Sequence, residues 1–453
     1  MWERIPVKGL RWRSFWGWAS LVVLGFAGAW LLIAMNAWHQ DQGLRTDRDC
    51  APVAHGPSAP IALGGSQMVV RGEYLARIGN CASCHTARGG EPFAGGKGLE
   101  TPFGTMFASN ITPAIQSGIG TWTTADFWQA MHHGRSKDGR LLYPAFPYSE
   151  YTRITRDDSD ALFAYLLSLQ PVERENRSHA LRFPYNTQAA LAVWRTLFFS
   201  PAAFEPQAEQ TAQWNRGAYL VRGLGHCQAC HSPRNVFGAT PTRFDLSGGV
   251  IPMQNWYAPS LSAPTEAGLQ DWSVDAIMQW LQTGKTVQGS ALGPMAEVVF
   301  SGTQYLSNED SRAIAVFLKS LPRREAIQPD VAPGTAGLQQ DQTLGTAGAQ
   351  QLGQRVYEKQ CADCHGDNGT GQGDYPSLVG NRTVTLPSSV NLVHVILSGG
   401  FPPTTSGNPR PHGMPPFRQT LSDAEVAAVA SYVRSAWGNR AGAVMPLDVN
   451  KTR

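Results

Sequence analysis

The sequence predicts a mainly α-helical chain in which three tandem domains follow one N-terminal transmembrane helix. Three observations lead to this prediction: the length of 453 residues, a cysteine and histidine motif that occurs three times, and a long uncharged segment near the N-terminus. A chain of this length accommodates about three domains of about 100–200 residues each. Glycine and proline are abundant, at 47 and 31 residues, so we expect many loops between the helices.

The composition excludes several classes of protein. Hydrophobic residues make up 42% of the chain and charged residues only 16%, which is too apolar for a disordered protein. The 37 basic and 34 acidic side chains give a net charge of +3, so no large basic excess indicates nucleic-acid binding. We therefore expect a folded chain whose partners do not include nucleic acid.

Six of the seven cysteines lie in three copies of the pattern Cys-x-x-Cys-His. This pattern is typical of haem c attachment, in which the two thiols form thioethers and the adjacent imidazole binds the iron. We therefore predict three covalently bound haem c groups, with the histidines as iron ligands. The copies are Cys81-Ala-Ser-Cys84-His85, Cys227-Gln-Ala-Cys230-His231 and Cys361-Ala-Asp-Cys364-His365.

Two other kinds of site use closely spaced cysteines, and neither explains the whole pattern. A structural zinc site brings two Cys-x-x-Cys pairs to one metal, whereas these pairs begin at positions 81, 227 and 361, one for each predicted domain. A thioredoxin-like redox site explains the two cysteines but not a histidine directly after them. The remaining cysteine, Cys50, is interpreted as a thiol without a part in the chemistry.

The segment from Phe15 to Met35 predicts a membrane anchor. It has 21 residues without a charge, long enough to cross about 30 Å of hydrocarbon as a helix. Basic residues precede it and acidic residues follow it, which places the N-terminus in the cytoplasm. A cleaved signal peptide is the alternative, although its apolar core is usually about 7–15 residues. We predict a retained single-span helix in the bacterial cytoplasmic membrane, with the haem domains on the periplasmic side.

Similar segments surround each Cys-x-x-Cys-His motif. A glycine and an aromatic residue precede each copy, and an amphipathic helix closes each domain, with Leu162, Ile314 and Val429 at matching positions of its apolar stripe. The predicted N-caps of these closing helices are Asp157, Ser307 and Ser422.

Each such unit, with one helix before the haem and another closing over it, resembles the class I cytochrome c fold. The predicted order is a membrane anchor (1–40), domain 1 (66–170), a packed connector (171–212), domain 2 (213–324), a flexible linker (325–347) and domain 3 (348–440).

Methionine is the predicted sixth ligand of each iron, because its soft thioether commonly completes cytochrome c coordination. Met414 in HGMPPF and Met295 in LGPMAEVV occupy matching loops before the closing helix. Domain 1 has Phe146 at the corresponding place, so Met131, on the predicted helix ADFWQAMHHG, is the candidate there. Other candidates remain open: Met106, His132, His133 or an open iron in domain 1, and the less well aligned Met253 and Met278 in domain 2.

Other short motifs do not indicate a second cofactor. The GTGQGD segment at 369–374 has no preceding strand and is interpreted as a loop at the haem edge. Gly284-Lys285-Thr286 lacks the earlier glycine of a phosphate-binding loop. Since no catalytic triad or carboxylate pair is recognisable, we predict no catalytic residues for oxidising an organic substrate.

After residue 65 the chain resembles the triheme cytochrome c subunits of bacterial membrane-bound dehydrogenases. The resemblance implies that the chain takes electrons from a catalytic subunit and passes them through three haems to ubiquinone. Catalytic subunits in this family are quinoprotein alcohol dehydrogenases, flavoprotein gluconate or fructose dehydrogenases, and molybdenum-hydroxylase aldehyde dehydrogenases. The segments that show the resemblance are RGEYLARIGNCASCHT, TPFGTMFASNITP, GRLLYPAFPY, RGAYLVRGLGHCQACHSPR and VYEKQCADCHGDNGTGQGDYPSLVGN with the later HGMPPF.

One motif favours a particular partner within that family. The alcohol and sugar-acid branches usually carry YPAMPY, whereas this chain has YPAFPY at 143–148. The phenylalanine form resembles cytochromes that accompany molybdenum hydroxylases, which implies an aldehyde dehydrogenase partner with a molybdopterin subunit and an iron–sulfur small subunit. The alternatives are an alcohol or gluconate dehydrogenase partner, a free-standing membrane shuttle, and a peroxidase-type enzyme at an open first haem.

Overall fold

The computed structural model describes residues 65–325 and 346–453. The predicted anchor (1–40), Cys50 and nearly all of the predicted linker (325–347) lie outside the described residues. Within the described part of the chain, no helix is both long and apolar enough to span a membrane. The described residues 65–186, 201–325 and 346–453 belong to one compact unit, and 187–200 belong to a second.

The first repeat (65–170) is mainly helical and is followed by a short strand from the predicted connector. β1, β2 and β3 form an antiparallel sheet in that order, so the connector up to residue 186 packs on this repeat. The elements are α1 (Gly65–Ile78), α2 (Cys81–His85), β1 (Gly98–Thr101), β2 (Gly104–Phe107), α3 (Thr124–His133), α4 (Tyr148–Tyr151), α5 (Arg156–Ser168) and β3 (Ala180–Leu181).

The second compact unit contains one described helix, α6 (Gln188–Phe198). The Thr187 side chain caps it by accepting a hydrogen bond from the Ala190 N–H. Leu191 and Arg195 on this helix are buried.

The second repeat (212–321) has the same order of helices as the first. Two two-stranded antiparallel sheets lie between them. The elements are α7 (Ala212–Arg222), α8 (Gln228–His231), β4 (Gly249–Ile251), β5 (Trp256–Ala258), α9 (Val274–Thr283), β6 (Lys285–Thr286), β7 (Gly289–Ser290), α10 (Pro294–Ser301), a 3-10 turn (Thr303–Tyr305) and α11 (Asn308–Lys319).

The third repeat (346–437) is built from helices alone, and a short helix follows it. The elements are α12 (Thr346–Gln360), α13 (Ala362–His365), α14 (Arg382–Thr385), α15 (Val390–Ser398), α16 (Asp423–Ser435) and α17 (Pro446–Thr452).

In every repeat, the helix before the attachment motif crosses the closing helix at a glycine. A Cβ on Gly72, Gly217 or Gly353 would overlap the backbone carbonyl of an alanine in the closing helix. The alanine in each case directly precedes Leu162, Ile314 or Val429. The crossing therefore confirms the predicted alignment of the three closing helices, and it explains why no side chain fits at the glycine.

The N-caps of the closing helices agree with the sequence at two of three positions. Ser307 and Ser422 cap α11 and α16 by accepting hydrogen bonds from the backbone three residues later. The predicted cap Asp157 is wrong, because Thr155 caps α5 and accepts from the Asp158 N–H. Asp157 instead lies in the first turn, where its charge favours the positive end of the helix dipole.

The buried apolar residues form two separate cores. One core is continuous through repeats 1 and 2, and it includes Leu75 and Leu162 together with Leu220 and Phe317. The other belongs to repeat 3 and is built around residues such as Val429. Repeats 1 and 2 therefore fold around shared apolar contacts, whereas repeat 3 has a core of its own.

Two tyrosines form reciprocal hydrogen bonds between repeats 1 and 2. Tyr74 in α1 donates a hydrogen bond to Asp310 in α11, at 2.7 Å. Tyr219 in α7 donates to Asp158 in α5, at 2.6 Å. Each repeat therefore supplies a hydroxyl donor to the closing helix of the other.

Each of these aspartates also pairs with an arginine of its own repeat. Arg71 donates to Asp158, and Arg216 donates to both oxygens of Asp310 at 2.7 and 2.8 Å. The carboxylate side chains are only 2% and 8% exposed. Buried carboxylates need such charge-assisted hydrogen bonds to offset their desolvation.

Candidate functional site

The three Cys-x-x-Cys-His segments adopt the same local structure. Each forms a short helical turn ending at its histidine: α2 spans Cys81–His85, while Cys227 and Cys361 directly precede α8 and α13. Residues three and four apart lie on one face of a helix. Both thiols and the imidazole of each motif are therefore presented to the same side, as covalent attachment and iron ligation require.

The six cysteines of the motifs are partly buried, and none is in a disulfide. Burial raises the pKa of Cys81 and of Cys227 to about 12, and it raises the pKa of Cys361 to about 11. Desolvation disfavours the charged thiolate, so these three thiols are protonated at neutral pH.

Each motif histidine is held by the same hydrogen bond. Because a carbonyl oxygen only accepts, Nδ1 of each ring carries a proton and donates it to the backbone. Nε2 is then the nitrogen with a free lone pair, the atom that a metal-binding imidazole uses in this arrangement. The three bonds run from His85 to Ser109 at 2.7 Å, from His231 to Pro259 at 2.8 Å, and from His365 to Pro376 at 2.9 Å.

The electrostatics of the three imidazoles favour the neutral ring. Burial lowers the pKa of His85, His231 and His365, and the hydrogen bond to the carbonyl only partly opposes this. A neutral imidazole with Nδ1 protonated is the form that ligates iron. The donor set of each motif, two thiols outside any disulfide and one oriented imidazole, therefore fits haem c.

The carbonyl acceptors were not predicted from the sequence, although a signal for two of them is visible. The tripeptide Pro-Ser-Leu occurs at 259–261 and again at 376–378, and its proline supplies the acceptor in both repeats. In repeat 1 the corresponding acceptor is Ser109, followed by Asn110 and Ile111. The recurrence of Pro-Ser-Leu after two of the histidines is the pattern that sequence reasoning could have used.

Met414 packs against the apolar core of repeat 3. It is partly buried against the repeat 3 core, as is Cys361. Its backbone exchanges two hydrogen bonds with Gly400, at 2.8 and 3.1 Å, just after α15. The loop carrying the predicted sixth ligand is therefore fixed to the same core as the attachment site, and Met414 as an iron ligand stays a prediction.

In repeat 1, Met131 lies on α3 as predicted and is 5% exposed. It belongs to the same apolar core as Cys81. Phe146 packs against this core too, with its ring 5.4 Å from the ring of Tyr151. The alternative Met106 is buried in β2, not in a loop as its alignment suggested, because β2 pairs on both sides in the three-stranded sheet.

The other open candidates of repeat 1, His132 and His133, end α3. The His132 ring stacks on Trp128 at 4.4 Å and contacts the His133 ring edge-on at 4.6 Å. These ring contacts hold both histidines among aromatic neighbours. Met131 therefore remains our prediction for the sixth ligand of repeat 1.

In repeat 2, Met295 lies in the first turn of α10 and not in a loop. Pro294 accounts for the helix, because proline is favourable at the first helical position. Met295 is partly buried, whereas Met253 is 62% exposed and Met278 belongs to the apolar core. Met295 as the sixth ligand of repeat 2 stays a prediction.

The described residues contain no cluster of three or more metal-binding side chains that could hold an ion by themselves. The glycine-rich segment at 369–374 is a loop whose Gly371 N–H donates to the carbonyl of His365, at 2.8 Å. It therefore stabilises the attachment segment of repeat 3, in agreement with its interpretation as a haem-edge loop.

Comparison with known proteins supports this description. The cytochrome c family model matches residues 69–170 and 350–437. The chain is 38% identical over 400 residues to the cytochrome c subunit of alcohol dehydrogenase (quinone) from Gluconacetobacter polyoxogenes, covering 86% of this chain and 84% of that protein. It is 39% identical over 431 residues to a nicotinate dehydrogenase subunit of Pseudomonas putida, covering 93% of this chain and 34% of that protein.

A third relative is named for a sugar acid. The chain is 38% identical over 393 residues to the gluconate 2-dehydrogenase cytochrome c subunit of Pantoea cypripedii, covering 83% of this chain and 87% of that protein. The identity, the extent of these alignments and the three attachment segments agree with one another. The chain therefore belongs to the cytochrome c subunits of dehydrogenases, a family that binds haem c covalently.

Proposed function

We propose that this chain is a triheme electron-transfer subunit that carries electrons from a periplasmic dehydrogenase to ubiquinone in the cytoplasmic membrane. The observation that carries the proposal is the threefold recurrence of one arrangement, an attachment motif whose histidine donates Nδ1–H to a backbone carbonyl. When bound, haem c supplies reversible one-electron chemistry, and the protein supplies its orientation and surroundings.

The residues of the chain do three things in this function. The cysteine pairs, at 81 and 84, 227 and 230, and 361 and 364, fix the position of each group. The hydrogen-bonded imidazoles present Nε2 in a set direction, and the carbonyl acceptors make that nitrogen more basic. Met131, Met295 and Met414 are the proposed sixth ligands, and their thioethers raise the reduction potential relative to histidine.

The proposed partner is an aldehyde dehydrogenase with a molybdopterin subunit and an iron–sulfur small subunit. Its support is the YPAFPY segment at 143–148 and the extent of the alignment with the nicotinate dehydrogenase subunit, which covers 93% of this chain. An alcohol or gluconate dehydrogenase partner is the alternative, supported by relatives of similar identity. The uncharged segment from Phe15 to Met35 supports attachment to the membrane.

Purification through this chain from gently solubilised membranes tests the proposal. We expect three haem c per chain and co-purifying molybdenum with additional iron–sulfur iron. Pyrroloquinoline quinone instead of molybdenum would move the assignment to an alcohol dehydrogenase, and flavin would move it to the sugar-acid branch. A haem-only preparation that is fully active with quinone analogues would contradict the role of a subunit.

Phe146 in the loop of repeat 1 favours a second candidate function, a peroxidase-type enzyme with an open iron at the first haem. That function predicts a high-spin ferric component that binds cyanide readily. Three low-spin ferric haems that resist cyanide would exclude it. Since Met131 is buried in the same core as Cys81, we expect the low-spin result.

A further inference from the structure

Repeats 2 and 3 meet at the loops beside their predicted methionine ligands. A Cβ on Gly400 would lie 3.4 Å from the Leu292 side chain, so the two loops are in contact there. Gly400 is the residue that exchanges two backbone hydrogen bonds with Met414. Leu292 is three residues before Met295. The segment that precedes α10 in repeat 2 and the Gly400–Met414 pair in repeat 3 therefore lie against each other across the junction.

An aromatic stack crosses this junction. The indole of Trp256, in β5, stacks on the imidazole of His394, in α15, with ring centroids 5.0 Å apart and planes 12° from parallel. The same indole covers Gly293, where a Cβ would lie only 2.6 Å from the ring. Gly293 has a positive φ of 55° and is the residue directly before α10. The indole therefore joins the start of the helix that carries Met295 to repeat 3.

Two hydrogen bonds fix β5 to α15 beside the stacked rings. The Asn391 side chain accepts from the Tyr257 N–H at 2.9 Å and donates to the Tyr257 carbonyl at 2.7 Å. Tyr257 follows Trp256, and Asn391 is three residues before His394 on the same helix. Burial lowers the pKa of His394, so its ring is neutral at pH 7 and stacks without a charge to desolvate.

Repeat 2 also meets repeat 1, beside the attachment turns of both repeats. A Cβ on Gly79 would lie 2.9 Å from Leu224, and the ring of His226 lies 5.7 Å from that of Tyr151. Gly79 is two residues before Cys81, and His226 directly precedes Cys227. Repeat 2 therefore contacts repeat 1 beside its own attachment turn and also through Glu297 of α10, which pairs with Lys97 at 3.0 Å. It contacts repeat 3 through the segment that precedes α10.

We propose that the stacked pair Trp256 and His394 is the contact through which an electron crosses between repeats 2 and 3. The inference rests on the proposed triheme function and assigns these two residues a positioning role in it. With haem c bound in both repeats, one electron would pass from the reduced to the oxidised group past these two rings, and no bond or proton would change. Neither ring is oxidised, since the closely packed rings only provide a continuous path for tunnelling.

The test uses the full chain with all three haems and the substitution Trp256→Leu. After reduction by less than one electron per chain, rapid-freeze electron paramagnetic resonance follows which low-spin haem becomes reduced. We expect exchange between repeats 2 and 3 to slow by about tenfold, with the three midpoint potentials unchanged. Trp256→Phe keeps an aromatic ring on His394 and is expected to exchange close to the wild-type rate.

A matched control removes a different indole from the same repeat. The Trp214 ring packs edge-on against Phe317 at 5.0 Å and donates to Ser320, both within repeat 2. Trp214→Leu is therefore expected to leave the exchange rate unchanged. Hydrogen exchange of residues 390–398 reports whether repeats 2 and 3 stay in contact in each variant.

Two results would overturn the proposal. One is a wild-type exchange rate in Trp256→Leu with residues 390–398 still protected. If Trp256→Leu also loosens the contact between repeats 2 and 3, the variant Trp256→Phe provides the second result. Slow electron exchange in Trp256→Phe, as slow as in Trp256→Leu and with residues 390–398 protected, would contradict the proposed path. A preparation with fewer than three haems per chain is a different failure, since it contradicts the triheme function itself.

Discussion

The closing helices of repeats 1 and 3 begin in different ways. In repeat 3, the N–H of the N-cap Ser422 donates to the carboxylate of Glu425 at 2.9 Å, so the helix completes its own cap. In repeat 1, the N–H of the N-cap Thr155 donates to the hydroxyl of Tyr219 in repeat 2, at 3.1 Å. The carboxylate in the matching position, Asp158, accepts from the same tyrosine.

Repeat 2 follows repeat 1 in this respect. The Ser307 N–H lies 3.3 Å from the Tyr74 hydroxyl, and that hydroxyl donates to Asp310. The shorter side chain of aspartate is not the reason, because Asp126 in α3 completes a local capping box with Thr123. The tyrosine and arginine partners therefore decide whether this carboxylate caps its own helix or links two repeats.

Removing Asp158 is expected to have the largest effect. Asp158→Ala leaves Arg71 and Tyr219 without their shared acceptor, and we expect a loss of about 3 kcal/mol in the free energy of unfolding. Native-state hydrogen exchange of α5 and α7 measures it. Glu425→Ala is the matched control in repeat 3, where only a local cap is lost and a much smaller loss is expected. Equal losses in the two variants would remove the distinction between the repeats.

Removing one hydroxyl isolates the link itself. Tyr219→Phe keeps the ring but deprives a buried carboxylate of one donor, and we expect a loss of about 1–2 kcal/mol. Tyr305→Phe is the control, since Tyr305 is 44% exposed and keeps its ring contact with Arg77; a change within about 0.5 kcal/mol is expected. Chemical denaturation followed by haem absorbance compares them, and indistinguishable midpoints would contradict the assignment.

Acid is expected to weaken the link in repeat 2. Burial raises the pKa of Asp310, but hydrogen bonds from Arg216 and Tyr74 outweigh burial, so the pKa is lowered overall. A lowered pKa contributes stability above the unfolded value, about 3.9, and that stability is lost as the pH falls through the folded value.

The variant Asp310→Asn is therefore expected to lack this part of the acid dependence, measured as hydrogen exchange of α11 between pH 5 and about pH 3. Asp271→Asn is the control, because Asp271 pairs with Arg323 at the surface with 62% of its side chain exposed. The same profile in Asp310→Asn and wild type would contradict the prediction.

The smallest effect is expected in repeat 3. Ser422→Ala removes the side-chain cap of α16, which typically costs about 1 kcal/mol. We expect the loss to be confined to α16 and measured as faster hydrogen exchange there, with α5 and α11 unchanged. Faster exchange in α5 or α11 would mean that the cap of repeat 3 is coupled to the other repeats.

The sequence predicts the local part of this molecule well. The three attachment motifs, the apolar stripes through Leu162, Ile314 and Val429, and the caps Ser307 and Ser422 depend on residues close together in the chain. Thr155 was missed because an acidic residue two positions later is also a good helix start. Met295 was expected in a loop, since a proline directly before it is equally typical of a turn and of a first helical residue.

Contacts between repeats were not predicted, because they join residues more than 60 positions apart. The sequence nevertheless contains a signal for the contacts between repeats 1 and 2. Repeats 1 and 2 have Arg-Gly-x-Tyr at 71–74 and 216–219, whereas repeat 3 has Leu-Gly-Gln-Arg at 352–355. Repeat 3 therefore lacks both the arginine and the tyrosine that bind the aspartates in repeats 1 and 2. No local sequence pattern predicts the stack of Trp256 on His394, because β5 and α15 come together only in the folded chain.

The reciprocal tyrosine contacts have a consequence for assembly. In an isologous interface, two copies of one chain contribute the same surface patch. A residue of the first copy contacts a second residue in the other copy, and the reverse contact also forms. Repeats 1 and 2 have that geometry within a single polypeptide, so they are equivalent to a tethered homodimer. Their association is unimolecular and does not weaken on dilution, because the connecting chain sets a high effective concentration. The pairing of these two haem sites is therefore independent of how much of the protein a cell makes.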